Sequence, residues 1–188
     1  KGYARPDADE RKEVDVRRGI DDVLRLTSHR VHGIDVVCEY EDVEPVLAHP
    51  SKLQQVWTNL IVNAAEAIED EAADLKARAE ASPASGIHLP ARGHDEARIT
   101  IRVAMDGDQV EVQICDNGPG IAPEVLDRIM EPHFTTKAGR VRFGLGMGMS
   151  IVHSIIADLD GRLLIDSHPG STTMRILIPA HHVHEEES

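Results

Sequence analysis

The chain has 188 residues, with 20 Lys and Arg against 33 Asp and Glu, a formal net charge of -13, and 41% hydrophobic residues. That is the composition of one ordinary soluble domain, whose core can bury roughly 70% of the unfolded surface without help from disulfides or a structural metal. With only Tyr3, Tyr40, Trp57, Phe134 and Phe143 as aromatics, and so acidic a balance, the chain is neither a base-stacking platform nor a phosphate-backbone binder; no nucleic-acid partner is expected.

No run approaches the ~18 apolar residues of a membrane span, and residues 1–13 are polar rather than signal-like, so no membrane contact is expected from this piece. The chain opens at Lys1 without an initiator Met, as expected of a piece of a longer polypeptide, and leaves open a membrane anchor elsewhere in the full-length protein. Cys38 and Cys115 each sit in an alternating stretch, which predicts small buried residues and a reducing, cytoplasmic setting.

From Asp15, the apolar positions Ile20, Val23, Leu24 and Val31 predict a first helix that stops at Gly33. Residues 34–40 have the β-branched character of a strand, and residues 46–48 form a short second one before His49-Pro50. Ser51 is the expected N-cap of a long amphipathic helix, since Leu53, Val56, Trp57, Leu60, Ile61, Ala64 and Ile68 keep helical spacing toward Ala81. Residues 82–96 hold two Pro and two Gly without apolar period and read as a loop.

Residues 98–105 and 109–116 alternate around Asp106-Gly107-Asp108, a hairpin pattern. A short helix over 123–130, an irregular stretch over 131–146 and a helix over 148–159 follow, and residues 162–167 and 172–178 flank Pro169-Gly170 as a last hairpin. The fold class expected is an α/β two-layer sandwich, a mixed and mainly antiparallel sheet with helices packed on one face.

Three patterns carry chemistry. Asp116-Asn-Gly-Pro-Gly120 follows a strand, which puts a carboxylate at the strand end, able to accept from an exocyclic amine, beside glycines that let a ligand approach the backbone. Read alone, it is equally a plain turn. Gly144-Leu-Gly-Met-Gly148 precedes a helix, so its N–H groups and the helix end can converge on an anion; the bland alternative is a hinge. Asn59 and Asn63 lie one turn apart on one side of the long helix, continued by Glu66 and Asp70, and an amide oxygen there suits Mg²⁺ unless the stripe is simply solvated.

Taken in order, these blocks resemble the ATP-binding catalytic domains of sensor histidine kinases, in the gyrase, Hsp90, histidine kinase and MutL superfamily. The resemblance rests on residues 53–67 (N box), Asp116-Asn-Gly-Pro-Gly-Ile (first glycine box), Glu131-Pro-His-Phe-Thr-Thr-Lys137 (F box) and residues 144–150 (second glycine box). It implies the Bergerat fold with a mobile ATP lid over 131–146. The expected organisation is a linker over 1–14, the catalytic domain over 15–180 with a loop insertion at 82–97, and a His/Glu-rich tail over 181–188 with a metal-binding alternative.

The same resemblance implies that Asn63 holds Mg²⁺ against the triphosphate of ATP, Asp116 reads the adenine amine, and Gly118 and Gly120 shape the base pocket. Gly144, Leu145, Gly146, Met147 and Gly148 lie over the phosphates, Lys137 is a phosphate contact, with Arg140 and Arg142 as further candidates, and Thr172 or Thr173 stands near the adenine edge. The segment from Pro169 to Met174 departs from the family pattern by lacking a Gly and the usual Phe.

Position 59 bears on the chemistry: relatives that hydrolyse ATP carry an acid there, whereas an Asn cannot take a proton from water. That favours phosphoryl transfer, with Asn59, Asn63 and Lys137 as catalytic candidates. The acceptor is expected to be a histidine, and none of the 11 present lies in a His-Glu-x-x-Arg-x-Pro setting. A phosphoacceptor domain upstream, a homodimer formed only through it, and a response regulator are the partners implied, and the chain alone should bind ATP without autophosphorylating. The alternatives are a gyrase-like Mg²⁺-ATPase and a non-catalytic nucleotide-binding module.

Overall fold

The computed structural model of the protein describes residues 10–81, 97–126, 128–129 and 148–182. In chain order the elements are β1 (Lys12–Val14), α1 (Val16–Leu26), β2 (Asp35–Tyr40), β3 (Val46–Ala48), α2 (Pro50–Ala81), β4 (Arg98–Asp106), β5 (Gln109–Asp116), α3 (Pro123–Leu126), α4 (Gly148–Ala157), β6 (Arg162–His168) and β7 (Ser171–Pro179). Five strands form one sheet in the order β2-β4-β5-β7-β6. Only the β2–β4 pair is parallel; the other three are antiparallel.

The alternation along β4, β5 and β7 sends Ile99, Ile101, Val112, Ile114 and Ile176 to a single buried face. Against that face lie Val16, Ile20 and Val23 of α1, the apolar stripe of α2 around Trp57, and Val152 and Ile156 of α4. A period of two on the strands and of 3.6 on the helices thus delivers one core between two layers, as expected. The opposite face of the sheet is polar and carries cross-strand ion pairs, Arg98 with Asp35 at 3.0 Å and Arg175 with Glu111.

Several local expectations are corrected. Asp15 is the cap of α1, accepting from the Arg17 N–H at 3.0 Å, but the helix ends at Leu26, because the Thr27 hydroxyl donates to the Val23 carbonyl and residues 27–33 continue as turns. Pro50, not Ser51, begins α2: its fixed φ and missing N–H suit a first helical position. Cys38 is exposed on the edge strand β2, and Cys115 is half-buried, so neither is a core residue.

His153, read as packed within the core-facing helix, is exposed, since it falls between the inward positions Val152 and Ile156. Residues 12–14, expected in a linker, pair with β3 as a small second sheet, and Val46 of that sheet also bridges to Ala180. His181 and His182, read as part of a solvated tail, lie beside Glu13 and Glu44 at 3.6 and 2.6 Å. The loop over 82–96 and the lid over 131–146 lie outside the described residues. Among the described residues no helix is long and apolar enough to cross a membrane.

Candidate nucleotide site

One face of α2 forms the floor of the site. Residues 59, 63, 67 and 71 recur every four positions and so lie in a row along the helix. At the first two, the Asn59 side-chain nitrogen donates to the Gly148 carbonyl at 3.4 Å and the Asn63 nitrogen contacts the Met149 sulfur at 3.5 Å. Gly148 opens α4, and a Cβ added to it would stand 3.8 Å from the Asn59 amide and 4.0 Å from that of Asn63. The fold therefore brings the Asn pair against the only described residue of the glycine-rich run.

One turn further along α2 is the glycine turn that follows β5. A Cβ on Gly118 would meet the Ala67 Cβ at 3.4 Å and the Asp116 Oδ1 at 2.9 Å, so this position admits only glycine without a shift. The Gly118 N–H donates to Asp116 Oδ1 at 3.0 Å. Asp116 itself is 7% exposed. Loss of solvent pushes its carboxyl up to about 6, against the lowering effect of the Gly118 N–H, and the Glu71 carboxylate pushes it further up. A group so placed is a hydrogen-bonding side chain held ready in a dry wall, consistent with recognition of a polar ligand edge.

The third wall is the β6–β7 hairpin. Gly120 has φ +82°, and a Cβ there would fall 2.3 Å from the His168 carbonyl oxygen, so the turn lies directly on the hairpin's backbone. The Gly170 N–H donates to the Pro119 carbonyl at 3.4 Å. Thr172 pairs in register with Asp116 and, like it, is buried. Thr173 pairs with Cys115 and donates to its sulfur at 3.4 Å on the other face of the sheet. The alternation of β7 thus selects Thr172 and removes Thr173 from the candidate site.

Of the expected residues, Asn59, Asn63, Asp116, Gly118, Gly120, Gly148 and Thr172 converge on this region. Lys137, Gly144, Leu145, Gly146 and Met147 lie outside the described residues. Glu66, placed on the same stripe from sequence, instead faces α1 and forms an ion pair with Arg30. Ala67 and Glu71 are the true continuation of the Asn row, as strict four-residue counting indicates. Ser167 was also missed: its only sequence signal is a hydroxyl two residues before a Pro-Gly turn. An amide oxygen is the hard, neutral donor that Mg²⁺ accepts, so the chemistry of Asn63 fits that ion.

Comparison with known proteins agrees with this geometry. Residues 48–182 match the family described as histidine kinase-, DNA gyrase B- and HSP90-like ATPase. Sensor kinase CckA of Brucella abortus is 34% identical over 83% of this chain and 16% of its own length. The sensory histidine kinase/phosphatase NtrB of Rhizobium meliloti is 38% identical over 72% of this chain and 32% of its own. The chain thus spans a third or less of these relatives.

Among solved structures, the mycobacterial sensor histidine kinase MprB superposes with a TM-score of 0.68 at 22% identity, covering 92% of this chain and 100% of that one. The nucleotide-free catalytic domain of histidine kinase ThkA gives a TM-score of 0.67 at 24% identity, covering 91% and 96%. These two likenesses bear on the fold, which is the ATP-binding catalytic fold expected from the sequence, a mixed sheet with its helices on one side. From the family match and from relatives that are sensor kinases rather than gyrases, the chain belongs to the histidine kinase-, DNA gyrase B- and HSP90-like ATPase family, on its histidine kinase branch.

Proposed function

We propose that this chain is the catalytic module of a two-component sensor histidine kinase, which binds Mg²⁺-ATP and delivers the γ-phosphoryl group to a histidine of another domain. The observation that carries this reading is the row on α2: an amide at 59 where water activation needs a base, an amide at 63, and the Asp116–Gly118 turn beside Ala67. In this reading Asp116 and Thr172 face the base, Gly118 and Gly120 let it approach the backbone, and Asn63 holds the metal, which neutralises charge on the phosphates. Asn59 orders the start of α4, so that the dipole of that helix and the run from Gly144 to Gly148, with Lys137, meet the triphosphate. Without a base beside the γ-phosphorus, the bound nucleotide awaits a nucleophile from outside.

The phosphoacceptor domain, dimerisation through it, a response regulator and a cytoplasmic location complete the proposal. They follow from the kind of relative the chain matches and from the absence of an acceptor setting around its own histidines. Calorimetry of Mg²⁺-ATP binding to wild type, Asp116→Asn and Asn63→Ala, with phosphate release followed in the same samples, tests it. Binding that both substitutions weaken, without release, supports the kinase module. Steady release favours a gyrase-like Mg²⁺-ATPase, and no binding leaves a non-catalytic module.

A further inference from the structure

Ser167 ends the inward-facing series of β6 and stands at the junction of the hairpin and the glycine turn. Its Oγ accepts the Ile121 N–H at 2.8 Å, and lies 3.2 Å from the Ser171 carbonyl oxygen and 3.1 Å from the Thr172 Oγ1. Thr172 is 4% exposed, so the state of its hydroxyl is settled by protein partners rather than by bulk water. The two hydroxyls have one proton each. When Ser167 gives its proton to Thr172, the Thr172 proton is directed elsewhere and Thr172 becomes a donor. When Ser167 gives it to Ser171, Thr172 donates back to Ser167 and offers only lone pairs.

We infer that Ser167 is a positioning residue for base selection, an assignment that rests on the nucleotide-binding reading above. It holds the glycine turn through Ile121 and holds Thr172 in the donor state beside the acceptor Asp116. A wall presenting one acceptor and one donor in register matches the adenine edge, an exocyclic amine next to an unprotonated ring nitrogen. The guanine edge has the opposite polarity, a carbonyl oxygen next to a ring N–H, and meets two mismatches. The selectivity arises because a buried hydroxyl locked by a neighbour cannot re-orient to suit the wrong base.

The test uses the 188-residue chain and measures Kd for Mg²⁺-ATP, Mg²⁺-GTP and Mg²⁺-tripolyphosphate by calorimetry, with thermal melting alongside. Ser167→Ala should weaken ATP about tenfold and shrink the ATP-over-GTP preference by a similar factor while leaving tripolyphosphate unchanged. Ser167→Thr, which keeps the hydroxyl, should restore the preference. Combining Ser167→Ala with Thr172→Val should add little to the preference lost by Thr172→Val alone. An unchanged ATP-over-GTP ratio in Ser167→Ala, or equal weakening of all three ligands, overturns the inference. Should Ser167→Ala fail to fold, Ser167→Thr and the effect of Thr172→Val on the ratio decide it, an unchanged ratio in Thr172→Val overturning it. Wild type that binds no ATP refutes the nucleotide reading itself, a result distinct from the others.

Discussion

The two ends of the site are built differently. The wall around Asp116 consists of backbone and buried side chains locked together: Gly118 on Ala67, Gly120 on His168, Ile121 on Ser167 and Thr172 in register with Asp116. The end around Asn59 and Asn63 is joined to α4 only by a 3.4 Å contact from one amide and a 3.5 Å contact to sulfur from the other. Contacts of that length are weak, and Met sulfur is a poor acceptor. The first end is preorganised; the second can exchange its contacts for a metal ion and phosphate oxygens at little cost. Recognition of the ligand and delivery of its phosphoryl group thus fall to parts of different rigidity, as expected where one must select and the other must open to an acceptor.

The most damaging way to break the rigid end is Gly120→Ala. A methyl 2.3 Å from a backbone oxygen at φ +82° cannot be relieved by a rotamer change, so the expected loss is on the order of 2–4 kcal/mol in urea unfolding, together with ATP binding. Asp116→Asn separates folding from function. It should lower ATP affinity about a hundredfold, because the charged acceptor is gone, while stabilising the nucleotide-free chain by roughly 2 kcal/mol at pH 7.

The sign of that gain follows from linkage. The carboxyl is raised to about 6 in the folded chain from an unfolded value of 3.8, so the native state holds the extra proton between those values. The contribution of Asp116 to stability is therefore fully present below pH 3.8 and is lost as pH rises through 6. Urea midpoints of wild type and Asp116→Asn should converge toward pH 4 and separate above pH 6; parallel curves would refute the assignment.

At the looser end, Asn63→Ala should reduce ATP affinity about tenfold in Mg²⁺ and change it little in EDTA, a difference that calorimetry reads directly. Asn59→Asp sharpens the comparison by supplying a base where the protein has an amide. Phosphate release should rise a few-fold with ATP affinity within about threefold of wild type. Smallest of all, Arg30→Ala breaks the half-exposed pair with Glu66 beneath this end and should cost about 0.5–1 kcal/mol, with nucleotide affinity unchanged.

Much of this was legible in the chain because its signals are local and repeated. The four-residue spacing of Asn59 and Asn63, the strand end at Asp116 and the alternation of β4, β5 and β7 each report a backbone period that the fold simply obeys. Helix ends were less legible, since α1 stops where a single Thr27 hydroxyl competes for a carbonyl, an outcome set by a few tenths of a kcal/mol.

What only the tertiary structure decided is which residues of different elements meet. Sequence left Thr172 and Thr173 equal; the register of β7 on β5 separates them, since neighbours along a strand face opposite sides. Glu66 and Glu71 were likewise both carboxylates on one long helix, and only the packing of α1 against α2 assigns the first to Arg30 and leaves the second near Asp116. Ser167 shows the same reason most plainly, because its role depends on a loop 46 residues away that approaches it only when the sheet is complete.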